Sequence, residues 1–332
     1  MRWRKVLYAI IFALIFCGCG NLQEDPEIPE LVLRYADNQT KSYPTTMAAE
    51  YFAQLVEERT NGEICIRVYA NGELGDEFSV FEQVQFGGVD MTRVSMSILA
   101  EYYPEIEVLQ LPYLYDDADH MWRVLDGQIG EEFLNSAQQI GVIGLSWFDA
   151  GARSFYTSQE ISTLEDLKGL QIRVQESEFM SRMVRLLGAV PVQLPYGDTY
   201  AALQTAQIDG AENNLPSYES TGHFEAAPYF LRDEHSRLPE MQIISTVAME
   251  KIAQVDGSYV AVIEQCAKES ALYERELWKE REESSEALIK DLGCTVTELD
   301  EAELEKFRQA VQPMYDDYPE KTQALIQRIQ ES

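Results

Sequence analysis

The sequence lacks the residues and motifs with which most enzymes work. It has only three histidines in 332 residues, and none lies near a cysteine or in an HExxH pattern. GxSxG, P-loop and GxGxxG patterns are absent as well. Adjacent carboxylates such as Asp116 and Asp117 occur, but 57 acidic residues make such pairs common. The sequence therefore indicates a protein that is not an enzyme and needs no metal or cofactor. A glycosidase stays open, because its two carboxylates come from distant positions.

Positive charge and cysteine are also scarce. The chain has 26 lysines and arginines against 57 aspartates and glutamates, for a net charge of −31. Such a charge disfavours nucleic acid and anionic lipid headgroups as partners. The alternative explanation is that the acidic surface only keeps the protein soluble. Of five cysteines, three lie beyond residue 30, with no CxxC pair and no metal-ligand spacing: Cys65, Cys266 and Cys294. We interpret them as small buried side chains, and a Cys266–Cys294 disulfide stays open.

The N-terminus has the order of residues that is typical of a bacterial export signal. Three basic residues precede an unbroken apolar run over 6–16, which is too short to span a bilayer comfortably. Gly18-Cys19 resembles the end of a lipobox, in which the cysteine is acylated. We therefore predict a signal peptide over 1–18, and a lipidated Cys19 with a polar tether over 19–30. An ordinary cleaved signal with an incidental cysteine is the alternative. Without its three basic signal residues the mature chain carries a charge of −34, and we expect it outside the cytoplasm.

Beyond the tether, strand and helix patterns alternate. The strand patterns, in which apolar residues recur at every second position, lie at Leu31–Ala36, Glu63–Ala70, Gly141–Phe148, Leu170–Gln175 and Val190–Leu194. This order predicts an α/β protein with parallel sheets covered by helices. From Asp256 to Leu292 the chain has no proline, and this stretch predicts one helix of roughly 50 Å. Such a helix is long enough to lie across two domains.

Two arginines lie in or near strand patterns and have the chemistry of an anion site. Arg173 points away from Ile172 and Val174, its apolar neighbours on the other face of the strand. In open parallel sheets, ligands bind beyond the carboxyl ends of the strands, and an arginine there offers a planar fork that matches a carboxylate. Arg153 follows the strand that ends near Phe148. From the pattern alone, however, either arginine is better explained as a strand-face residue paired with a nearby glutamate.

Several motifs together resemble the solute receptors of TRAP transporters, the DctP family. In order they are Asp166-Leu-Lys-Gly-Leu-Gln-Ile-Arg173-Val, Leu187-Gly-Ala-Val-Pro191, Tyr200-Ala-Ala-Leu-Gln-Thr and Ile208-Asp-Gly-Ala-Glu-Asn213. The resemblance extends from about residue 31 to the C-terminus, and it implies a two-domain periplasmic-binding-protein-like fold. A ligand cleft would lie between the domains and a long helix would span both. We expect domain I to comprise 31–150 and about 239–278, and domain II to comprise 151–238 and about 279–332.

The resemblance also implies which residues hold a ligand. Arg173 matches the arginine that pairs with the carboxylate of an organic acid. Arg153 matches a second basic position that holds the anion or a neighbouring oxygen. Asn213 matches an amide that hydrogen-bonds the ligand, and Tyr196 matches an aromatic position that packs over it.

Three further candidates come from the first half of the chain. Asn38 lies where the loop after the first strand meets the cleft. Glu77 matches a site at which an acidic side chain accepts a hydrogen bond from a ligand hydroxyl. Arg93 lies near the end of the segment 89–95. For Glu77 and Arg93 a purely structural role is an equal alternative, because charged residues are common near loop ends.

Two segments resemble the branch of the family that binds hexuronates and related sugar acids. They are Arg153-Ser-Phe-Tyr and Glu212-Asn-Asn214-x-Pro-Ser-Tyr218, the latter followed by Thr221-Gly-His-Phe. A polyhydroxylated acid needs an arginine for its carboxylate and amides or carboxylates for its hydroxyls. We therefore expect glucuronate or galacturonate as the ligand, with C4-dicarboxylates and other sugar acids as alternatives.

The resemblance finally implies the partners of the protein. They are a small-molecule organic acid and two TRAP membrane subunits, a small DctQ-like one and a large DctM-like one, with the lipid anchor holding the receptor at the membrane. Nucleic acid is not expected. A receptor of the same fold for an ATP-driven importer and a secreted lipoprotein enzyme remain the alternatives.

Overall fold

The computed structural model describes residues 28–332. The predicted signal peptide and Cys19 lie outside the described residues. The strands are β1 Leu31–Ala36, β2 Ile64–Tyr69, β3 Met91–Ser95, β4 Val142–Phe148, β5 Ala152–Thr157, β6 Gln171–Val174, β7 Val190–Gln193, β8 Gly210–Asn213, β9 Tyr229–Arg237, β10 Glu240–Ser245 and β11 Thr295–Glu298. All five strands expected from the sequence are present, each shorter than or equal to its predicted range.

Helices lie between most of these strands. They are α1 Pro44–Arg59, α2 Glu77–Gln85, α3 Met96–Tyr102, α4 Ala118–Leu125, α5 Gln128–Ser136, α6 Glu178–Leu186, α7 Thr199–Gln204, α8 Leu215–Ser220, α9 Thr246–Val255, α10 Tyr259–Asp291, α11 Glu301–Val311, α12 Pro313–Asp316 and α13 Glu320–Gln330. Short 3-10 turns cover Pro104–Gln110, Ala137–Ile140, Leu164–Leu167, Tyr196–Asp198 and His223–Glu225.

The strands form two sheets, one in each of two α/β domains. The first has the order β2-β1-β3-β10-β4, and the second has the order β11-β9-β5-β8-β6-β7. The chain crosses from the first sheet to the second after β4, through residues 149–151, and returns after β9, through residues 238–239. The predicted α/β class with two domains is therefore confirmed.

Both sheets are mixed, so the expectation of parallel sheets is wrong. β1 pairs in parallel with β2 and β3, and β6 pairs in parallel with β7 and β8. All four antiparallel pairs involve β5 or β10, the strands that follow the two crossovers directly. Apolar periodicity locates a strand but does not give its direction, which depends on how the chain enters the sheet.

The long helix expected from the sequence is present as α10. It has 33 residues and, at ~1.5 Å per residue, is about 50 Å long. Along its length α10 packs against α1 and β4 of the first domain and against α8 of the second. Near its middle, Trp278 makes an edge contact with Tyr43, with ring centroids 5.8 Å apart. One continuous helix therefore joins the two domains beside the crossovers.

The three described cysteines differ in burial, and none forms a disulfide. Cys266 on α10 is buried, whereas Cys65 and Cys294 are half-buried, and all three thiols are free. The expectation that all are buried is wrong for two of them. Cys65 lies on β2 and Cys294 immediately precedes β11, and both of these are edge strands, paired with another strand on one side only. Between residues 28 and 332, no helix has the length and apolar character needed to cross a bilayer.

Candidate ligand-binding site

A polar cavity lies between the two domains. Its lining includes all seven residues expected from the sequence: Asn38, Glu77, Arg93, Arg153, Arg173, Tyr196 and Asn213. Five lining residues were not expected: Gln39, Gln175, Asn214, Ser217 and Glu240. Gln39 and Asn214 directly follow the expected residues Asn38 and Asn213, and this adjacency is the signal that would have found them. Glu240 has no such signal in the sequence.

Three neighbouring strands of the second sheet supply the polar groups of domain II. Arg153 lies on β5, Asn213 ends β8, and Arg173 lies on β6. β8 lies between the other two strands, with Asn213 opposite Ser154 and Ala211 opposite Arg173. This register brings together side chains that are 20 to 60 residues apart in the chain.

Arg173 is a buried cation with no carboxylate partner. It is 2% exposed, and its Nε and Nη2 atoms both donate to the carbonyl oxygen of Leu194, at 2.9 and 2.7 Å. Among residues 28–332, no carboxylate lies within 4.0 Å of it, so the explanation of Arg173 as a strand residue paired with a glutamate is wrong. Burial lowers the pKa of Arg173, and the more distant Glu212 only partly opposes this effect. A buried cation in this state is stabilised by any anion that enters the cavity.

Arg153, by contrast, has a carboxylate partner. Its Nε and Nη2 atoms donate to the carboxylate of Glu212, which is completely buried, and its Nη1 atom donates to Asn213 Oδ1 at 2.9 Å. Burial by itself would lower the pKa of Arg153, but the Glu212 carboxylate outweighs it and the pKa is raised. Asn213 Oδ1 also accepts from the backbone N–H of Asn214 at 2.8 Å. The oxygen of Asn213 is therefore used inside the protein, and its NH2 group is the part left to donate into the cavity.

A buried histidine stands behind this ion pair. His235 is fully buried, with Nδ1 2.9 Å from Asp233 Oδ2 and Nε2 3.5 Å from Glu212 Oε2. Burial opposes protonation of the ring, but the two carboxylates outweigh it, and the pKa of His235 is raised to about 9. Glu212 shows the matching effect, since burial raises its pKa but Arg153 and His235 lower it to about 2. The chain Arg153–Glu212–His235–Asp233 is thus a buried charged network.

We expect this network to make the folded protein less stable as the pH rises from 6.5 to 9. The pKa of His235 is about 9 in the folded protein, against an ordinary value of 6.5 that we take for the unfolded chain. Protonation of His235 therefore stabilises the folded state to its full extent below pH 6.5. That contribution, on the order of 3 kcal/mol, is lost as the pH passes through 9. Thermal unfolding followed by circular dichroism between pH 6 and 9.5 measures it, and His235→Gln should flatten the fall.

The matched control is His223→Gln. Burial, with the charge of Arg173 acting in the same direction, lowers the pKa of His223 to about 3, so His223 is neutral throughout this range. Above about pH 7.5 a histidine of ordinary pKa is neutral in the unfolded chain as well, so in that range the replacement should leave the slope of melting temperature against pH unchanged. An unchanged slope in His235→Gln would contradict the assignment of the titration to His235.

The domain I wall of the cavity is built around Arg93. Asp37 Oδ1 accepts from Arg93 Nε and Nη2 at 3.1 and 3.0 Å. Asp37 Oδ2 accepts from the hydroxyls of Thr45 and Thr46, both at 2.9 Å. The first turn of α1 therefore fixes Asp37, and Asp37 fixes Arg93. Arg93 Nη2 also donates to Asn38 Oδ1, which orients that amide at the cavity edge.

Hydrogen bonds between the domains close the cavity. Tyr196 donates to Gln39 Oε1 at 3.1 Å, and the hydroxyl of Tyr43 lies 2.9 Å from Ser217 Oγ. The three arginines in the lining are at most 4% exposed. A molecule therefore reaches these groups only when the domains separate. Within residues 28–332 no group of histidines, cysteines and carboxylates is arranged to hold a metal ion.

Two α/β domains that close over a polar cavity with a buried, unpaired guanidinium define a solute-binding protein. The model of the family described as "Bacterial extracellular solute-binding protein, family 7", DctP, matches residues 35–322. The chain belongs to this family, which confirms the resemblance seen in the sequence motifs.

Known proteins similar to this chain support the same class. A solute-binding protein of Chromohalobacter salexigens is 36% identical over 296 residues, which cover 88% of this chain and 86% of that protein. A TRAP periplasmic solute binding protein of Xanthobacter autotrophicus Py2, solved with bound β-D-galacturonate, is 39% identical with a TM-score of 0.86, covering 90% of this chain and 99% of that one. Another, from Chromohalobacter salexigens with bound D-glucuronate, is 34% identical with the same TM-score and coverage.

Proposed function

We propose that this protein is the extracytoplasmic receptor of a TRAP transporter and that it captures a hexuronate such as glucuronate or galacturonate. The observation that carries the proposal is Arg173, a buried guanidinium without a carboxylate partner in the closed cavity. The carboxylate of the ligand would supply the missing charge through a bidentate pair. Arg153 is held by Glu212 and would contribute its remaining N–H to the anion or a neighbouring oxygen.

The rest of the cavity supports a polyhydroxylated acid. The NH2 group of Asn213 would donate to a ligand oxygen, and the ring of Tyr196 would pack over the sugar ring. Asn38 and Glu77 would take hydroxyls at the domain I wall, with Arg93 positioning them. Hexuronates are favoured because structures 39% and 34% identical to this chain hold β-D-galacturonate and D-glucuronate.

Capture would proceed by closure of the two domains. We place the hinge at the crossovers 149–151 and 238–239 and in the adjoining part of α10. We propose domain bounds of 31–150 with about 239–278 and 151–238 with about 279–332. On closure, fixed donors replace the water around the anion, and the contacts of Tyr196 and Tyr43 across the cavity form.

The receptor would work at the outer face of a membrane. A signal peptide over 1–18 would export it, and an acyl chain on Cys19 would anchor it. A small and a large membrane subunit would receive the ligand from it. Binding without chemical change is expected, so product analysis after prolonged incubation with a hexuronate should recover the acid intact.

Calorimetric titration of the purified protein tests the ligand class. The panel is D-glucuronate, D-galacturonate, sialic acid and succinate. We expect the two hexuronates to bind most tightly, with dissociation constants of roughly 1 μM or below. A dissociation constant of about 1 μM corresponds to a binding free energy of about −8 kcal/mol. Tight binding of succinate alone would refute the hexuronate assignment, and turnover of the bound acid would indicate an enzyme instead.

A further inference from the structure

Glu240 lies in the cavity, although nothing in the sequence pattern points to it. It is the first residue of β10, directly after the crossover 238–239. Its side chain is 12% exposed, and its Oε1 atom accepts from Arg93 Nη1 at 2.7 Å. The cavity lining places it together with Glu77 and Arg93 on the domain I side, facing the wall that holds Arg153 and Arg173.

The domain I wall holds more negative charge than its arginine needs. Arg93 has three carboxylates within 4.0 Å: Asp37 at 3.0 Å, Glu240 at 2.7 Å and Glu77 at 3.6 Å. Asp37 alone neutralises Arg93 through its Oδ1 atom, while its Oδ2 atom is used by the hydroxyls of Thr45 and Thr46. In residues 28–332, no second lysine, arginine or histidine lies within 4.0 Å of Glu77 or Glu240. These two carboxyl groups are therefore surplus to the neutralisation of Arg93.

The hydrogen bonds of the two surplus groups leave acceptors for a ligand. Glu77 Oε1 accepts from the backbone N–H of Ser95 at 2.6 Å, and Glu77 Oε2 has only a long contact of 3.5 Å with the amide of Asn38. Glu240 Oε1 is held by Arg93, and its second oxygen has no hydrogen bond within the described part of the chain. One oxygen of each carboxyl group thus remains to accept from a donor in the cavity.

The two walls of the cavity consequently have opposite character. Domain II presents the unpaired cation Arg173, and domain I presents Glu77 and Glu240. A ligand whose carboxylate lies on Arg173 turns its other end towards these two carboxyl groups. Hydroxyls donate to ionised carboxyl groups in strong charge-assisted hydrogen bonds, whereas a second carboxylate on the ligand would meet like charge when these groups are ionised.

We propose that Glu240, together with Glu77, forms a hydroxyl-binding wall and that Glu240 makes the receptor select polyhydroxylated monocarboxylates over dicarboxylates. This inference rests on the proposed function, because it takes the ligand carboxylate to lie on Arg173. Burial raises the pKa of Glu240 to about 8, with Arg93 opposing and Glu77 and Asp37 adding to the rise. Arg153 of β5 also faces Glu240 and lowers its pKa. A hydroxyl suits either state of the group, since it donates to a carboxylate and accepts from a carboxylic acid.

The test compares the wild type with Glu240→Gln by calorimetric titration against D-glucuronate, D-galacturonate and succinate. In titrations at about pH 9, where Glu240 is ionised, loss of this charged acceptor should weaken hexuronate binding by roughly 10- to 100-fold. Succinate affinity should stay the same or rise, so the ratio of hexuronate to succinate affinity falls by at least that factor. The conservative variant Glu77→Gln should change the ratio of hexuronate to succinate affinity in the same direction. This second variant tests the hydroxyl-binding wall if Glu240→Gln fails to fold.

The control is Glu250→Gln, the same chemical change at an exposed position of α9. It should leave every affinity unchanged. Hexuronate binding within about twofold of the wild type in folded Glu240→Gln, with the ratio to succinate unchanged, would overturn the inference and leave the proposed function intact. Failure of the wild type itself to bind a hexuronate would instead refute the proposed function.

Discussion

Arg173→Ala should lose at least about 100-fold in hexuronate affinity, roughly 3 kcal/mol, while the protein stays folded. Arg173 is 2% exposed and has no carboxylate partner among residues 28–332. Its charge is therefore available to a ligand, and a ligand carboxylate buried without it would be left uncompensated. Calorimetric titration of the variant with D-glucuronate and D-galacturonate measures the loss.

The stability of the ligand-free protein should change little in the same variant. Removing a buried, unpaired cation relieves a desolvation cost, and losing two hydrogen bonds to the Leu194 carbonyl opposes that gain. We expect the two effects to cancel to within about 1 kcal/mol of unfolding free energy in urea. Arg185→Ala, which removes an exposed arginine of α6, should leave both affinity and stability unaltered. Affinity equal to wild type in Arg173→Ala would remove the central residue of the proposed site.

Glu212→Gln should destabilise the fold by about 3 to 5 kcal/mol. The Glu212 carboxylate is fully buried, binds Arg153 through two nitrogens and lies 3.5 Å from the protonated ring of His235. The amide keeps the shape of the side chain but leaves two buried cations facing an NH2 group. Urea denaturation of the ligand-free protein gives the change in unfolding free energy.

In Glu212→Gln the hexuronate affinity should fall as well as the free energy of unfolding, because Arg153 loses the carboxylate that orients it. Glu165→Gln breaks the exposed pair with Lys168 and serves as the matched control, for which little change in the denaturation midpoint is expected. A urea denaturation midpoint of Glu212→Gln close to that of the wild type would show that the buried network adds no stability.

Much of the architecture follows from local patterns. Apolar alternation located β1, β2, β4, β6 and β7, and the proline-free stretch before residue 292 located α10. The four motifs between Asp166 and Asn213 together indicated the family, which the family model over residues 35–322 confirms. Strand direction was not predictable in this way, because β5 and β10 run antiparallel to their neighbours as a result of the crossovers.

The sequence by itself determined the two-domain α/β class, the long helix, the family and the chemical types of the seven expected site residues. Only the tertiary structure decided how their charges are compensated. Arg153 is neutralised by Glu212, 59 residues away, and Arg93 by Asp37, 56 residues away, whereas Arg173 is left unpaired. The crossover 238–239 likewise carries Glu240 into the cavity. Periodicity and motifs describe neighbours in the chain, but charge compensation depends on neighbours in space, and these are set by strand order and domain closure.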